Sequence, residues 1–200
     1  MKTQKAIYSD LKSILKIIDS AKQIMITNGN TTQWINGYPS EEVILNDIAN
    51  ENGFVVLNKE EIVGYFCFIQ GNDPEVTYQV IEGGNWLNNR PYGVIHRLAS
   101  NGKIKGVADA CFDYCFTQID NIKVDTHENN IPMQNYFKKI GFEYCGIIYV
   151  GDGSPRKAFQ KEKWLQKKNL IKWIRFFCMM KFVISFSKLL HHQQFPKFRL

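Results

Sequence analysis

The chain holds no CxxC pair among its five cysteines, no run of about twenty apolar residues, no internal repeat, and only four histidines in 200 residues. Each absence excludes something. Cys67, Cys111, Cys115, Cys145 and Cys178 lack the spacing of a zinc or dithiol motif, and Cys111 and Cys115 fall four apart on an apolar helical stripe, where small core residues belong. His191 and His192 have no third ligand nearby in sequence, so no metal site is expected. No leader-like segment opens Met1-Lys-Thr-Gln-Lys, and a reducing cytoplasm is the expected compartment. Basic character is missing from most of the chain, although the net charge is +6. Of 25 Lys/Arg and 19 Asp/Glu, residues 161–200 hold ten and one, which leaves 15 basic against 18 acidic residues before them. A slightly acidic domain gives no support for nucleic-acid binding.

What is present is one domain's worth of core, 44% hydrophobic and 22% charged. Its expected order is a strand over Lys5–Ser9, then a helix from Ser9 or Asp10 with Leu11, Ile14, Leu15, Ile17 and Ile18 at helical spacing, ended by Asn28-Gly29. A second helix starts at Ser40-Glu-Glu-Val, and Phe54–Leu57 with Ile62–Ile69 reads as a hairpin. Tyr92–Ala99 is a buried strand, Val107–Gln118 a helix, Asn121–Asp125 a short strand, and Asn130–Lys139 a helix with Pro132 in its first turn. Glu143–Val150 and Arg156–Gln160 close the domain as a hairpin.

Between the buried strand and its helix lies Ser100-Asn-Gly-Lys-Ile-Lys-Gly106. Free first-turn amides, the helix dipole and glycines that permit close approach would make this junction an anion site, with Lys103 and Lys105 adding charge; a plain strand-to-helix turn is the competing reading. The order strand, Gly/Lys loop, helix, strand, Asp125-Thr-His127, Asn130 and Lys138-Lys-Ile-Gly141-Phe142 resembles the coenzyme-A-binding half of the Gcn5-related N-acetyltransferases (GNAT), over roughly residues 3–160. The resemblance implies an α+β, acyl-CoA N-acyltransferase-like mixed twisted sheet flanked by helices, opened as a V between the strands at Val94 and Ile122. It implies acetyl-CoA as co-substrate, a small-molecule amine or peptide N-terminus as acceptor, and cofactor contacts at Leu98, Ala99, Asn101, Gly102, Lys103, Ile104, Lys105, Gly106, Val107, Asn130, Met133 and Phe137. Of the loop positions that match the family's pattern, Asn101, Ile104 and Gly106, the last alone agrees, and Phe137 stands where the family's usual Tyr would donate a proton, with Tyr136 turned about 100° away.

Acceptor-side walls are expected from Gln33, Trp34, Tyr38, Asp73, Tyr78 and Trp86, flat apolar surfaces with hydrogen-bonding ends, unless these aromatics merely pin loops to the core. Amine acetylation needs a base, and the strand before the loop carries no acid. His96 is its one group that titrates near neutrality, and if Val94, His96 and Leu98 share a face it points at the thioester. His127, in a loop beside the presumed cofactor helix, is the rival. The expected domains are 1–160 for the acetyltransferase and 161–200 for a basic extension with eight aromatics, whose Lys172, Arg175, Lys181 and Lys188 exclude a clean membrane span. Three readings are open for that extension: an extra helix packed on the domain, a homodimer or membrane-surface contact, or a segment without selected function. An acyl-CoA-binding module without turnover is the alternative to catalysis.

Overall fold

The computed structural model describes residues 1–163. Met1–Glu162 form one compact unit, built on a seven-stranded sheet with order β1-β2-β3-β4-β5-β7-β6. The strands are β1 Lys2–Lys5, β2 Gly53–Asn58, β3 Glu61–Gly71, β4 Tyr92–Ser100, β5 Asn121–Thr126, β6 Glu143–Tyr149 and β7 Pro155–Glu162. The helices are α1 Leu11–Thr27, α2 Glu41–Ala49, α3 Val107–Gln118 and α4 Ile131–Lys139. This is the mixed, helix-flanked α+β sheet expected. The three extension readings, a homodimer or membrane contact among them, fall outside the described residues. Among the described residues no helix is long and apolar enough to cross a membrane, and no cluster of three His, Cys, Asp or Glu could hold a metal.

The first strand is displaced from its expected place over 5–9. It pairs Lys2–Lys5 with Leu57–Phe54, and Tyr8–Asp10 is a 3-10 turn. The Asp10 carboxylate accepts the Ile7 N–H at 3.0 Å while the Asp10 N–H donates to the Ile7 carbonyl at 2.9 Å. A short acidic side chain that bonds backbone three residues back favours a turn over an extended ladder. The same bond removes Asp10 from capping α1, whereas Ser40 caps α2 as expected by accepting the Val43 N–H at 3.3 Å.

The sheet buries both faces. Phe54, Phe66, Phe68, Ile95, Ile122 and Val124 meet α3 and α4 in a phenylalanine-rich cluster. On the opposite face Val55, Tyr65 and Ala99 meet α1 and α2, and Tyr78, Tyr92, Val94, Ile148 and Ala158 form a third cluster under the 72–91 loop. That loop is clamped to β6: Glu82 and Ile147 exchange two backbone bonds of 2.8 Å. Gly84 makes the clamp possible, because a Cβ there would stand 2.1 Å from the Cys145 carbonyl oxygen.

Two irregularities shape the centre. The parallel strands β4 and β5 pair only at Gly93–Ile122 and Val94–Lys123, and beyond those residues they part to open the V. On the other edge of β4 the register to β3 shifts between Tyr65–Ala99 and Cys67–His96. The extra residue is Arg97, whose backbone is left-handed at φ 55°. Strict alternation therefore fails across it. Val94 packs in the third cluster, but Leu98 packs with the phenylalanine cluster of the other face, so the expected Val94–His96–Leu98 face ends at His96.

Candidate active site

A cavity of about 590 Å³ occupies the V and reaches both faces of the sheet. On the helical face its wall is apolar, with Ile95, Leu98, Phe112, Val124, Met133 and Phe137. On the other face it is polar, with Glu75, His96, Arg97, Asp125 and Arg156. An elongated ligand with an apolar-walled arm through the V and a reacting end on the polar side is what such a slot accepts.

His96 is held from behind. Its Nε2 lies 2.8 Å from Glu75 Oε2, and Glu75 is itself fixed by the Thr77 N–H at 3.1 Å and the Thr77 hydroxyl at 2.7 Å. The hydrogen bond from His96 is the main cause that lowers the Glu75 carboxyl from 4.5 to about 2. An ionised carboxylate can only accept, so Nε2 carries the hydrogen. In the neutral ring the lone pair is then on Nδ1, which has no hydrogen-bond partner among the described residues. His127 differs in each respect. Its Nδ1 accepts the Asn129 N–H at 3.1 Å, its Nε2 faces the Thr32 hydroxyl at 3.2 Å, and it does not line the cavity. Burial first, then Arg156, depresses its basicity. It ties the loop after β5 to the loop after α1.

The bulge residue is locked by charge. Arg97 donates through Nε and Nη2 to the two Asp47 oxygens at 2.8 and 2.6 Å, and through Nη1 to the Tyr38 hydroxyl at 3.0 Å. The Tyr65 hydroxyl adds a 2.7 Å bond to Asp47. A planar, bidentate pair of this kind fixes orientation as well as charge, and here it anchors the residue that follows His96.

Of the acceptor-side residues expected from sequence, Gln33, Trp34 and Tyr38 line the cavity, and Asp73, Tyr78 and Trp86 do not. Tyr78 is buried and donates to Asp125 at 2.6 Å. Trp86 packs on it with ring centroids 5.1 Å apart and donates to its carbonyl at 2.8 Å. Asp73 accepts the Tyr92 hydroxyl at 2.8 Å. These three brace the loop behind His96. The aromatics also cover Lys123, whose ammonium lies 3.9 Å from the Tyr92 ring centre and 4.4 Å from that of Trp86. Burial pushes this lysine down to about 8.

On the cofactor side, Leu98, Asn130, Met133 and Phe137 line the cavity. Asn130 caps α4 by accepting the Met133 N–H at 3.3 Å and donates to Gln33 Oε1 at 3.0 Å. Phe137 is 3% exposed and packs on Phe112, Phe142 and Phe159, so no phenol enters there. The Tyr136 hydroxyl is spent on Asp109 at 2.8 Å. Ala99 and Val107 are core residues, and Ile104 packs on the phenylalanine cluster. Asn101 shapes the loop, its side chain accepting the Lys103 N–H at 3.1 Å. Gly102 and Gly106 take left-handed backbone at φ 71° and 92°. Lys103 and Lys105 are exposed. Gly106 opens α3, whose first intrahelical bond runs from Ala110 to Gly106 at 2.9 Å, leaving the Val107, Ala108 and Asp109 amides without helical acceptors.

Sequence reasoning missed Glu75, Arg97, Asp47, Asp125, Thr126 and Arg156. Thr126 is the most telling. It is 1% exposed, lines the cavity at the end of β5, and its hydroxyl has no hydrogen-bond partner among the described residues. An orphaned buried hydroxyl facing a slot is what a ligand amide or sulfur would satisfy. Together with the α3 amides, it fits the residues present to an acyl-coenzyme A.

A V-split mixed sheet with an amide-rich turn at the N-terminus of α3 and a slot through the sheet defines an acyl-CoA N-acyltransferase. The comparisons agree. The acetyltransferase (GNAT) family model matches residues 24–142, and the chain belongs to that family, whose members move an acyl group from acyl-CoA to an amine. A GNAT-family acetyltransferase of known structure from Streptococcus agalactiae 2603 is 29% identical, with a TM-score of 0.73 over 81% of this chain and 95% of that one. A putative acetyltransferase from Staphylococcus aureus Mu50 is 27% identical, with a TM-score of 0.60 over 82% and 99%. A ribosomal-protein-alanine N-acetyltransferase from Brucella melitensis shares the fold at 16% identity and a TM-score of 0.52, over 81% and 99%. No curated protein matches the chain.

Proposed function

We propose that the protein is a cytoplasmic N-acetyltransferase that moves the acetyl group of acetyl-CoA to a primary amine by direct attack in a ternary complex. The observation that carries this reading is the Glu75–His96 pair at 2.8 Å on the wall of the V-shaped cavity. His96 Nδ1 takes a proton from the acceptor ammonium, and Glu75 keeps the proton on Nε2 and stabilises the imidazolium that forms. The freed amine nitrogen bonds to the acyl carbon as the carbon–sulfur bond breaks, its electron pair leaving on sulfur, and the second proton that the acylated nitrogen sheds passes through solvent to that thiolate. When bound, acetyl-CoA supplies a thioester already activated for that exchange.

Leu98, Met133 and Phe137 would wall the pantetheine arm, with the Thr126 hydroxyl available to one of its polar groups. The loop of Gly102 to Gly106 and the first amides of α3 would receive the pyrophosphate, with Lys103 and Lys105 adding charge. His127, bonded at both nitrogens, serves as a loop tie and not as the base. Positioning alone contributes on the order of 7 to 11 kcal/mol to such a transfer, so the absent phenol at Phe137 leaves the thiolate to solvent protons without preventing turnover. The four described cysteines, all free and buried, support a reducing compartment.

The same Phe137 favours a second reading, an acyl-CoA-binding module without turnover. Release of free thiol from acetyl-CoA in the presence of small amines, polyamines, aminoglycosides, amino acids and peptides separates the two. Acceptor-dependent release is expected. Calorimetric binding of acetyl-CoA with no release for any acceptor would establish the module, and no binding at millimolar ligand would remove both.

A further inference from the structure

Two arginines border the polar side of the cavity, and they are treated differently. Arg97 is neutralised inside the protein by Asp47 in a bidentate pair. Arg156 is 7% exposed and has no carboxylate within 4 Å among the described residues. Its hydrogen bonds, 2.9 Å each to the Ser154 hydroxyl and the Pro155 carbonyl, both use Nη1. They aim the guanidinium without neutralising it. Nε and Nη2 have no hydrogen-bond partner among the described residues, and Arg156 lines the cavity. Asp152, whose carboxyl is lowered chiefly by its bonds to Ser154 and also by the charge of Arg156, turns its Oδ1 to the Ser154 N–H at 2.9 Å and makes no direct bond to the guanidinium.

The side of the sheet is fixed by alternation along β7. Lys157 points to α4 and donates to Gln134 at 3.1 Å, while Ala158 packs with Tyr78 and Val94. Arg156 therefore lies on the Tyr78 and His96 face, away from the helices that wall the apolar arm. The same face carries Asp125, which accepts the Tyr78 hydroxyl at 2.6 Å, and Glu75 behind His96. A buried guanidinium with no carboxylate in direct contact is costly, and its planar fork matches an oxyanion with two adjacent oxygens.

We infer that the acceptor amine also carries an anionic group, a carboxylate or a phosphate, and that Arg156 receives it while the ammonium end faces Asp125 and His96. The inference rests on the acyl-transfer reading above and narrows its acceptor class to amines with an internal negative charge. Simple polyamines, which bring only positive charge, are excluded from that class.

Matched acceptors test it on the full chain: β-alanine against ethylamine, lysine against cadaverine, and O-phosphoethanolamine against ethanolamine. In wild type the anionic member of at least one pair should show a kcat/KM at least about tenfold higher, since a buried charged hydrogen bond discriminates by that order. The carboxylate and phosphate pairs identify which oxyanion is read. Arg156→Gln should collapse the preference and Arg156→Lys should keep part of it. Equal or reversed preference in wild type overturns the inference whether or not the variants fold. So does weaker acetyl-CoA binding by Arg156→Gln without acceptor, which would assign the arginine to the cofactor. If no acceptor releases thiol, the acyl-transfer reading itself has failed. Calorimetry of the same pairs on acetyl-CoA-loaded protein then decides alone: anionic members binding wild type and not Arg156→Gln uphold the inference, and indiscriminate or absent binding ends it.

Discussion

Arg97→Met is the perturbation that most directly tests how the site is held. The substitution keeps the stem but removes the guanidinium, leaving Asp47, 5% exposed, with the Tyr65 hydroxyl and the Cys67 thiol as neutral partners. Breaking a buried ion pair from one side costs about 3–5 kcal/mol because the other charge stays buried and uncompensated. In a domain of this size that corresponds to a fall in Tm of roughly 6–20 °C. Asp47→Asn in the Arg97→Met background removes the stranded charge, and the two changes together should cost less than their separate effects added, by about 0.5–3 kcal/mol. Arg97→Gly separates a further contribution. The left-handed backbone at 97 costs a non-glycine residue on the order of 1 kcal/mol, so glycine should be less damaging than methionine by about that amount. Because the bulge aims His96, Arg97→Met should also lower kcat by at least about tenfold, with acetyl-CoA binding retained. Thermal melts of the two single variants, the double variant and Arg97→Gly, with thiol-release kinetics, are the assay. Strictly additive losses, or a loss below about 1 kcal/mol for Arg97→Met, would refute the claim that a desolvated pair fixes the bulge.

His96→Gln should reduce kcat roughly 10²- to 10⁴-fold with acetyl-CoA affinity unchanged by calorimetry, and His127→Gln should not; the opposite result would transfer the role of base. Glu75, lowered to about 2 from 4.5 chiefly by its bond with His96, contributes stability that is present above the unfolded value and lost as pH falls toward 2. Thermal melts should therefore show the gap between wild type and Glu75→Gln closing from about pH 4.5 to 2, and a gap still constant at pH 2.5 would show that the ionised carboxylate is not its source. Lys123, pushed from 10.5 down to about 8 by burial, binds fewer protons folded than unfolded between those values. Wild type should gain stability in urea melts as pH rises through that window, and Lys123→Met should abolish the gain. Gly84→Ala should cost at least about 2 kcal/mol by driving a methyl into backbone at 2.1 Å. Gly83→Ala, at φ 67° with open space around it, should cost on the order of 1 kcal/mol from backbone strain alone, and equal losses at 83 and 84 would remove the close-approach argument.

By itself the sequence determined the order of elements, because helical stripes, capping residues and buried strands are local patterns. It placed the helix ends at Asn28-Gly29 and Gly141-Phe142, the cap at Ser40, the Gly102–Gly106 turn before α3, and Tyr136 turned away from Phe137 on α4. It also brought His96 and His127 forward as the two candidate bases, since few other groups titrate near neutrality. What it could not decide was which of them has a free nitrogen, because His96 is backed by Glu75 from 21 residues away and His127 is bonded to Thr32 from 95 residues away. A bulge leaves no mark in a composition pattern, so the flip of parity after His96 was also hidden. Asp47, on another helix, reaches Arg97 across 50 residues of chain, and Arg156 was unremarkable until β7 was laid beside β5. The opening of β4 from β5, which makes the cavity, is a property of two strands that pair for two residues and then diverge, and neither strand records it alone.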